Sequence, residues 1–475
     1  MTIIAVVLVY FCLLMAISRW VTGKQSTNEA FYRADRQSPW YMVSFGMVGA
    51  SISGITFVSV PGMVMRTQMT YLQTCMGFIL GYVVVAFLLL PLYYRMNLTS
   101  IYAFLGQRLG VRSHQTGSWF FLLSKMTGAA VKFYVVCIIL QRFVFQQMGI
   151  PFAITAVSLV LLIWLYTRRG GIKTLVWTDS LQTLCLFTAL LLIIYKVATD
   201  MDLSWESMVV CIDNSELSRV FVWDDWRSTQ NFWKQFVSGA FIVIVMTGLD
   251  QDMMQKNLTC KTLRGAQKDM CCYGVAFLPA NLLFLSLGVL LVMWCQGNGV
   301  PIPAQGDELL PMFISHSSSL ISHLFVLGIV AASFSSADSA LTSMTTIYCV
   351  DIVKQPADER LRKCVHLVMC VVFVAFILLF KVLNSTSLID AIYIMVGYTY
   401  GPLLGLFAFG LLQGRSVRDH LVPYIAIASP LLCFAVDRLA LLVFNYHFGY
   451  ELLMLNGFLT FCGLWVTSKG RGKET

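Results

Sequence analysis

The stretch "GIVAASFSSADSALTSMTT", residues 328–346, is apolar enough for a membrane segment, yet it contains five serines, three threonines and one aspartate. Each such group costs free energy in hydrocarbon unless a partner satisfies it. On a helix, Ser335, Asp338 and Ser339 share one face because they are three and four residues apart. Their oxygens suit hard cations, and we extend this preference to sodium by analogy. Serines also bond back to their own helix or hold a neighbouring one, so both interpretations stay open.

The composition predicts an all-α integral membrane protein. Of the 475 residues, 58% are hydrophobic and only 12% are charged, and the mean hydropathy is +0.74. Soluble domains carry about 25% charged residues. Apolar runs such as "GYVVVAFLLLPLYY" (residues 81–94) do not alternate as barrel strands do. We therefore expect helical spans of about 20 residues.

About thirteen transmembrane helices are predicted. With the N-terminus outside and the C-terminus cytoplasmic, cytoplasmic segments hold about 23 of the 33 lysines and arginines, Lys256 among them. The first run lacks a basic n-region and a cleavage site, so it is expected to be a retained helix. The predicted spans are 2–19, 40–63, 70–95, 114–146, 151–167, 173–196, 231–250, 268–296, 318–349, 361–382, 386–412, 419–437 and 448–468.

Several function classes are disfavoured by the sequence. The net charge of +9 comes from basic residues in short loops, with no basic patch interleaved with aromatics, so no nucleic-acid partner is expected. The 14 cysteines are scattered, mostly within apolar runs, and form no C-x-x-C pair. Metalloprotease, phosphate-loop and serine-hydrolase motifs are absent from the sequence, so the chain is predicted not to be an enzyme.

The second span carries a cluster of small and polar residues, "GMVGASISGITFVSVPG" at 46–62. Glycine and proline weaken a helix and free carbonyl groups. Unwound backbone at membrane depth is tolerated where it lines a cavity, and its carbonyls can bind a cation there. Close helix packing through small residues explains the same composition. The stretch alone does not separate the two interpretations.

Charged side chains inside predicted spans mark functional candidates. Asp179 lies about two turns, roughly 10 Å, inside the span that begins near residue 172, where a structural hydrogen bond is the alternative role. Lys125 and Lys132 are seven residues apart and so lie on nearly the same face. Lys132 is too deep to snorkel easily. It is expected either to pair with Asp179 or Asp338, or to receive an anionic substrate.

Six stretches, in order, resemble the sodium/solute symporter family, which includes sodium–glucose cotransporters, proline permease and a bacterial sialic acid symporter. One match would be weak, but six in the family's order cover most of the chain. The stretches are "FYRADRQSPW", "LTSIYAFLGQRLG", "YTRRGGIKTLVWTDSLQ", "GLDQDMMQKNLTC", "AASFSSADSALTSMTTIYCVDI" and "GYTYGPLLGLFAFGLL".

This resemblance implies a LeuT-like fold with two inverted repeats of five helices and extra flanking helices. Substrate and sodium meet near the midplane, and the repeats expose the site alternately. The implied divisions are an N-terminal helix and loop at 1–39, the first repeat at 40–196, an extracellular segment at 197–230, the second repeat at 231–412, and two helices with a tail at 413–475.

The family's main sodium site implies backbone carbonyls from the broken first core helix, here Gly49 and Ile52. Its other ligands map onto the Ala332 carbonyl and the hydroxyls of Ser335 and Ser336. Some members have a second sodium site. In this sequence that possible second cation site falls on Asp179, Ser335, Asp338 and Ser339.

The resemblance to the sialic acid symporter implies substrate contacts from Ser51, Ser53 and Thr56. Its carboxylate-binding arginine falls near Lys132, and Gln73 is the closest candidate for the family's glutamine on the next helix. Because lysine is a point charge without the planar fork of arginine, the resemblance does not determine sialic acid as the solute.

The implied function is secondary active transport by alternating access. Inward sodium flow drives uptake of a small organic solute, expected to be a carboxylate such as sialic acid or a related acid sugar. A neutral sugar or polyol, proton coupling and a sensor remain alternatives. The expected partners are the solute, the sodium ion that drives transport, and the lipid of the plasma (inner) membrane. No other metal and no cofactor is expected. The chain is expected to act as a monomer.

Overall fold

The computed structural model describes residues 2–23, 27–383, 388–446 and 448–468. Within these ranges the chain is helical and forms no β-strand, only an isolated bridge between Ser38 and Cys260. The α-helices are α1 (Thr2–Thr22), α2 (Asn28–Arg33), α3 (Trp40–Ser51), α4 (Gly54–Thr67), α5 (Tyr71–Val84), α6 (Leu90–Arg95), α7 (Ala103–Arg108), α8 (Val111–Leu140), α9 (Phe152–Gly170), α10 (Ile172–Asp200), α11 (Trp205–Asp213), α12 (Phe232–Val243), α13 (Gln251–Asn257), α14 (Leu263–Gly297), α15 (Leu309–His316), α16 (Ser319–Ile347), α17 (Glu359–Leu383), α18 (Leu388–Leu412), α19 (Val422–Phe444) and α20 (Leu452–Thr467).

The apolar helices account for the predicted spans. Nine helices of the described chain are long and apolar enough to cross a membrane, and two further spans are bent pairs, α3 with α4 and α12 with α13. Two shorter apolar helices, Gly397–Leu412 and Leu452–Thr467, occupy the remaining predicted positions. The predicted tail 469–475 lies outside the described residues. The all-α, multi-span prediction is confirmed.

The first broken span bends by 61° between Ser51 and Gly54. At Ile52 the backbone leaves the helix (φ −85°, ψ 93°), and its N–H donates to the Gly49 carbonyl at 3.1 Å. Ser53 then caps α4 by accepting the Thr56 N–H at 3.4 Å. The glycine- and serine-rich stretch thus does interrupt the helix, as one of the two interpretations requires.

Close packing, the other interpretation, holds in the same stretch. A Cβ atom on Gly49 would lie 2.0 Å from Thr183 Oγ1 of α10, and one on Gly46 would lie 3.0 Å from the Asp179 Cβ. A side chain at Gly49 would therefore collide with α10. The small residues bring α3 against α10, while the residues after Ser51 open the helix.

A second broken span, α12–α13, bends by 70° and was not predicted. The predicted span 231–250 ends where the bend occurs. Asp250 caps α13 by accepting the N–H groups of Asp252 at 2.8 Å and Met253 at 3.4 Å. Each predicted five-helix unit therefore begins with a broken span, although the unit boundaries themselves stay a prediction.

Segments predicted to share one side of the membrane contact each other. On the predicted outer side, the Met69 N–H donates to the Arg219 carbonyl at 3.1 Å. On the predicted cytoplasmic side, Arg33 donates to the Asn97 carbonyl at 2.7 Å, and the Arg112 N–H donates to Asp419 at 2.7 Å. These contacts agree with the alternation of the spans. Which side faces the cytoplasm remains a prediction from the basic residues.

Candidate functional site: a cavity between two broken helices

A cavity of about 200 Å³ lies where the two broken spans meet α5, α8, α14 and α18. Helix ends leave backbone N–H and C=O groups unpaired, so polar groups gather at the breaks. The predicted substrate residues Ser51, Ser53, Thr56 and Lys132 all line this cavity. Because aromatic and aliphatic side chains form most of the remaining wall, the polar groups would fix how a solute is oriented.

The α3–α4 break gives the cavity its hydroxyl groups. The Ser51 Oγ lies 2.5 Å from the Tyr273 Oη of α14 and donates to the Met47 carbonyl at 2.9 Å. The Ser53 Oγ lies 3.2 Å from the Thr56 Oγ1. Tyr273 was not singled out from the sequence, since an aromatic residue in an apolar span ordinarily indicates packing. The structure places its hydroxyl on the cavity wall.

Both lysines of α8 line the cavity, but their surroundings differ. The Lys125 Nζ lies 2.7 Å from Asp252 Oδ2 and 3.1 Å from Asp250 Oδ2. Tyr400 also donates to Asp250 Oδ2 at 2.7 Å. Lys132 makes no hydrogen bond or ion pair with any side chain or carbonyl in the described ranges. Its suggested pairing with Asp179 or Asp338 is therefore not observed.

Gln73 is not brought together with the other predicted substrate residues. It is buried, and its side chain holds the segment before α12. The Gln73 Nε2 donates to the Gln230 carbonyl at 2.9 Å, and its Oε1 accepts the Val222 N–H at 3.1 Å. Tyr71, two residues earlier on α5, faces the cavity instead. Gln73 does not face the cavity because its amide group is bonded to the backbone of residues 222–230.

Ser336, one of the predicted sodium residues, lies where α16 crosses the first break. The Ser336 Oγ lies 3.0 Å from the Ala50 carbonyl and 3.2 Å from the Ala332 carbonyl. Gly49 and Ile52 flank Ala50 at the same break, and the Gly49 carbonyl accepts the Ile52 N–H. The contacted carbonyl is thus that of Ala50, which the sequence did not indicate. Two carbonyls and a hydroxyl are the uncharged oxygen donors that a hard cation accepts, so the residues fit sodium.

The residues of the possible second cation site also lie together. The Ser335 Oγ donates to Asp179 Oδ1 at 2.8 Å, so it is turned towards α10 rather than towards the first break. The Ser339 Oγ donates to Asp338 Oδ1 at 3.3 Å, and the Tyr166 Oη donates to Asp338 Oδ2 at 2.5 Å. All five side chains lie in the interior of the bundle. Asp179 thus makes the kind of hydrogen bond that its structural role would require, and its role in cation binding stays a prediction.

An additional cation is present in this cluster. Lys256 of α13 places its Nζ 2.7 Å from Asp179 Oδ2, and the two side chains are 2% and 1% exposed. The sequence counted Lys256 among the cytoplasmic basic residues because it follows an apolar span. That assignment is wrong in detail, since the α12–α13 bend carries the residue back into the bundle. No local pattern marks it, because its partner is 77 positions away.

The sequence is similar to that of known transport proteins. The family model described as "Sodium:solute symporter family" matches residues 31–418. The sodium/sialic acid symporter SiaT of Proteus mirabilis is 25% identical over 90% of this chain and 88% of its own length. The sodium/sialic acid symporter NanT of Aliivibrio fischeri is 24% identical over 86% of this chain and 82% of its own.

The fold also matches a solved structure. A Na⁺-coupled sialic acid symporter in a substrate-bound outward-open state superposes with a TM-score of 0.83 at 20% identity, over 99% of each chain. This likeness confirms the predicted LeuT-like fold. Together with the match of the family model over most of the sequence, it shows that the chain belongs to the sodium:solute symporter family.

Proposed function

We propose that this protein couples inward sodium flow to the uptake of a small organic acid by alternating access. The single observation that carries the proposal is the unpaired Lys132 ammonium on the wall of a cavity bounded by two broken helices. In a membrane interior, a cation without a partner is costly and marks a substrate or ion pathway. A solute carboxylate would supply the missing partner.

Sodium binding is supported by the contacts of Ser336. Its hydroxyl joins the Ala50 carbonyl of the first predicted repeat to the Ala332 carbonyl of the second. An ion held by these oxygens would tie α3 to α16 and favour one orientation of the two repeats. Sodium and solute would then strengthen each other's binding by the same factor. Each sodium charge crossing a potential of 100 mV adds about 2.3 kcal/mol of driving free energy.

An acid sugar suits the rest of the wall. The hydroxyls of Ser51, Ser53, Thr56 and Tyr273 are bonded among themselves and would exchange these bonds for hydroxyl groups of a solute, while Lys132 would take its carboxylate. Sialic acid and related acid sugars combine both features. A small carboxylate without hydroxyl groups would use Lys132 alone. We propose the acid sugar as the solute, with transport across the plasma membrane.

The solute is tested by uptake into liposomes containing the purified protein. A panel of sialic acids, acid sugars, monocarboxylates and neutral sugars would be offered with an inward sodium gradient. We expect Lys132→Gln to abolish uptake of the acid and Lys132→Arg to retain part of it. Lys196→Gln is the control, because Lys196 pairs with Asp200 on the partly exposed surface of α10.

Three results would contradict the proposed function. Uptake of a neutral sugar or polyol that survives Lys132→Gln would show that Lys132 does not bind the solute. Uptake driven by a pH gradient in sodium-free buffer would show proton coupling. Binding of the acid without uptake would indicate a sensor.

The coupling ion is tested separately with Ser336→Ala. Loss of one ligand should raise the sodium concentration for half-maximal uptake about tenfold or more, equivalent to about 1.4 kcal/mol. Unchanged sodium dependence in this variant, with the protein still folded by size-exclusion chromatography, would refute the site.

A further inference from the structure

The cavity wall at the second break carries a carboxylate oxygen that no donor in the described ranges satisfies. Asp252 lines the cavity, its side chain is only 7% exposed, and its Oδ2 lies 2.7 Å from the Lys125 Nζ. The Asp252 Oδ1 is buried as well, but it accepts no hydrogen bond from those residues. A buried carboxylate oxygen without a donor costs free energy. A ligand that donates a hydrogen bond to it would remove this cost.

The neighbouring carboxylate, Asp250, is fully bonded. Its Oδ1 accepts the N–H groups of Asp252 at 2.8 Å and Met253 at 3.4 Å, and its Oδ2 accepts the Tyr400 hydroxyl at 2.7 Å. Lys125 also donates to both oxygens of Asp250, at 3.2 and 3.1 Å. Two carboxylates therefore share the ammonium group of Lys125, and of the two only Asp252 has an oxygen left for a further donor.

The same cavity wall carries the Lys132 ammonium group, which pairs with no side chain of the described chain. Lys125 and Lys132 are seven residues apart on nearly the same face of α8, which is about two turns or roughly 10 Å along the helix. Lys125 lies against Asp252. The wall therefore presents a free ammonium group at one level and a free carboxylate oxygen at another. A solute that satisfies both would carry a carboxylate and, several bonds away, a hydrogen-bond donor.

We infer that the solute is an amino-substituted acid, whose protonated amine donates to Asp252 Oδ1 while its carboxylate binds Lys132. The inference rests on the proposed function and narrows its solute class. A charged amine is favoured over a neutral amide N–H because hydrogen bonds to ionised groups are roughly twice as strong as neutral ones. It is also favoured because two carboxylates share one lysine at this place. Asp252 is thus the residue that distinguishes an amino-substituted acid from one without the amine.

The test compares two acids that differ only at the amine. Muramic acid carries a carboxylate and a protonated amine several bonds apart, and in N-acetylmuramic acid the amine is replaced by a neutral amide. Each radiolabelled acid is offered to liposomes that contain the whole protein, with an inward sodium gradient. We expect the wild type to take up muramic acid about tenfold or more faster than the N-acetyl form, because a site built to bind a donor discriminates strongly.

The variant Asp252→Asn should remove this preference. It should slow the uptake of muramic acid about tenfold or more and leave that of N-acetylmuramic acid nearly unchanged. A merely structural role of Asp252 would slow both acids equally, so the ratio of the two rates separates the roles. Asp35→Asn is the matched control, since Asp35 also lies 2.7 Å from a lysine, Lys173, but its side chain is 37% exposed. This control should keep the wild-type preference.

Three results would overturn the inference and leave the proposed function intact. The first is sodium-driven uptake of N-acetylmuramic acid by the wild type that equals or exceeds the uptake of muramic acid. The second is uptake of another acid of the panel but of neither member of this pair. The third is an unchanged preference in Asp252→Asn with an altered sodium dependence, which would show that Asp252 binds an ion rather than the amine.

The proposed function fails separately. Absence of sodium-driven uptake of any acid, or uptake that survives Lys132→Gln, would overturn it whatever the preference between the two acids. If Asp252→Asn does not fold, the wild-type ratio of the two rates still decides the solute class. Asp252→Glu, which keeps the carboxylate, should then retain the preference for the free amine, and loss of the preference in this variant would count against a direct contact.

Discussion

The two broken spans both leave peptide groups unpaired at the break, but different side chains surround these groups. At the α3–α4 break, uncharged hydroxyls and carbonyls surround the freed peptide groups, with Ser53 as the cap. At the α12–α13 break, the cap is Asp250, whose carboxylate is neutralised by Lys125 and bonded by Tyr400. The first break thus offers oxygens to an ion from solution. The second break instead holds two carboxylates, Asp250 and Asp252, that share one lysine, Lys125.

This difference in chemistry suits the first break to binding an ion and the second break to stabilising the fold. An uncharged oxygen cage gains most when a cation enters it, whereas a carboxylate with a lysine beside it is already compensated. Removing one partner of a buried ion pair is strongly destabilising because the other charge is left without compensation. We therefore expect substitutions at the second break to cost more stability than those at the first break, where ion binding is affected as well.

The largest effect on stability is expected from Lys125→Met. It leaves Asp250 and Asp252 without their counter-charge and should lower the free energy of unfolding by about 3–5 kcal/mol, as for other buried pairs. Thermal unfolding in detergent, followed by fluorescence, would measure the loss. Lys173→Met, which breaks the exposed pair with Asp35, should cost no more than about 1 kcal/mol. Equal losses of unfolding free energy in Lys125→Met and Lys173→Met would show that the ion pairs of Lys125 do not stabilise the second break.

A smaller loss is expected from Gly49→Ala, which adds a methyl group where α3 meets Thr183. Overpacking of this kind costs about 1–3 kcal/mol, and the displaced α3 should also weaken sodium binding. Gly128→Ala on α8 is the control, because a Cβ atom there meets nothing within 4 Å. The Gly128→Ala variant should leave the free energy of unfolding unchanged or raise it slightly. Equal unfolding midpoints for the two variants would show that the α3–α10 contact is loose.

The smallest effect is expected from Ser53→Ala. It removes the cap of α4 and should cost about 1 kcal/mol of stability, which is typical for a lost N-cap. Ser53→Thr keeps a hydroxyl at the same position and should restore most of the unfolding midpoint. If alanine and threonine behave alike, then the Ser53 hydroxyl does not act as a cap, and the first break is held by its packing alone.

Much of the fold was predictable because membrane spans are local. Long apolar runs and the basic residues between them indicated the spans, including the short ones at α18 and α20. Glycine and serine around residue 51 marked the first break. The second break has a weaker signal, since only Thr247, Gly248 and Asp250 interrupt the end of an apolar run. Its bend depends on the capping carboxylate and on Lys125 from another helix.

The candidate site was predictable in its residue types more than in its contacts. Ser51, Ser53, Thr56 and Lys132 do line one cavity, and Ser336 does reach the broken helix. Gln73 does not face the cavity because backbone groups of a distant loop engage its amide. Contacts between segments far apart in sequence determine which way a side chain such as that of Gln73 faces. These contacts cannot be read from a single sequence.

By itself the sequence determined the membrane class, the approximate spans and the polar α16, because hydrophobicity and helical spacing act over a few neighbouring residues. It marked the first break only as one of two open interpretations of its glycines and serines. Only the tertiary structure decided how the charges are paired: Lys125 with Asp250 and Asp252, and Lys256 with Asp179, while Lys132 faces the cavity. The physical reason is that a charge in a low-dielectric interior takes the nearest opposite charge in space. Helix packing, rather than position along the chain, determines which charge that is.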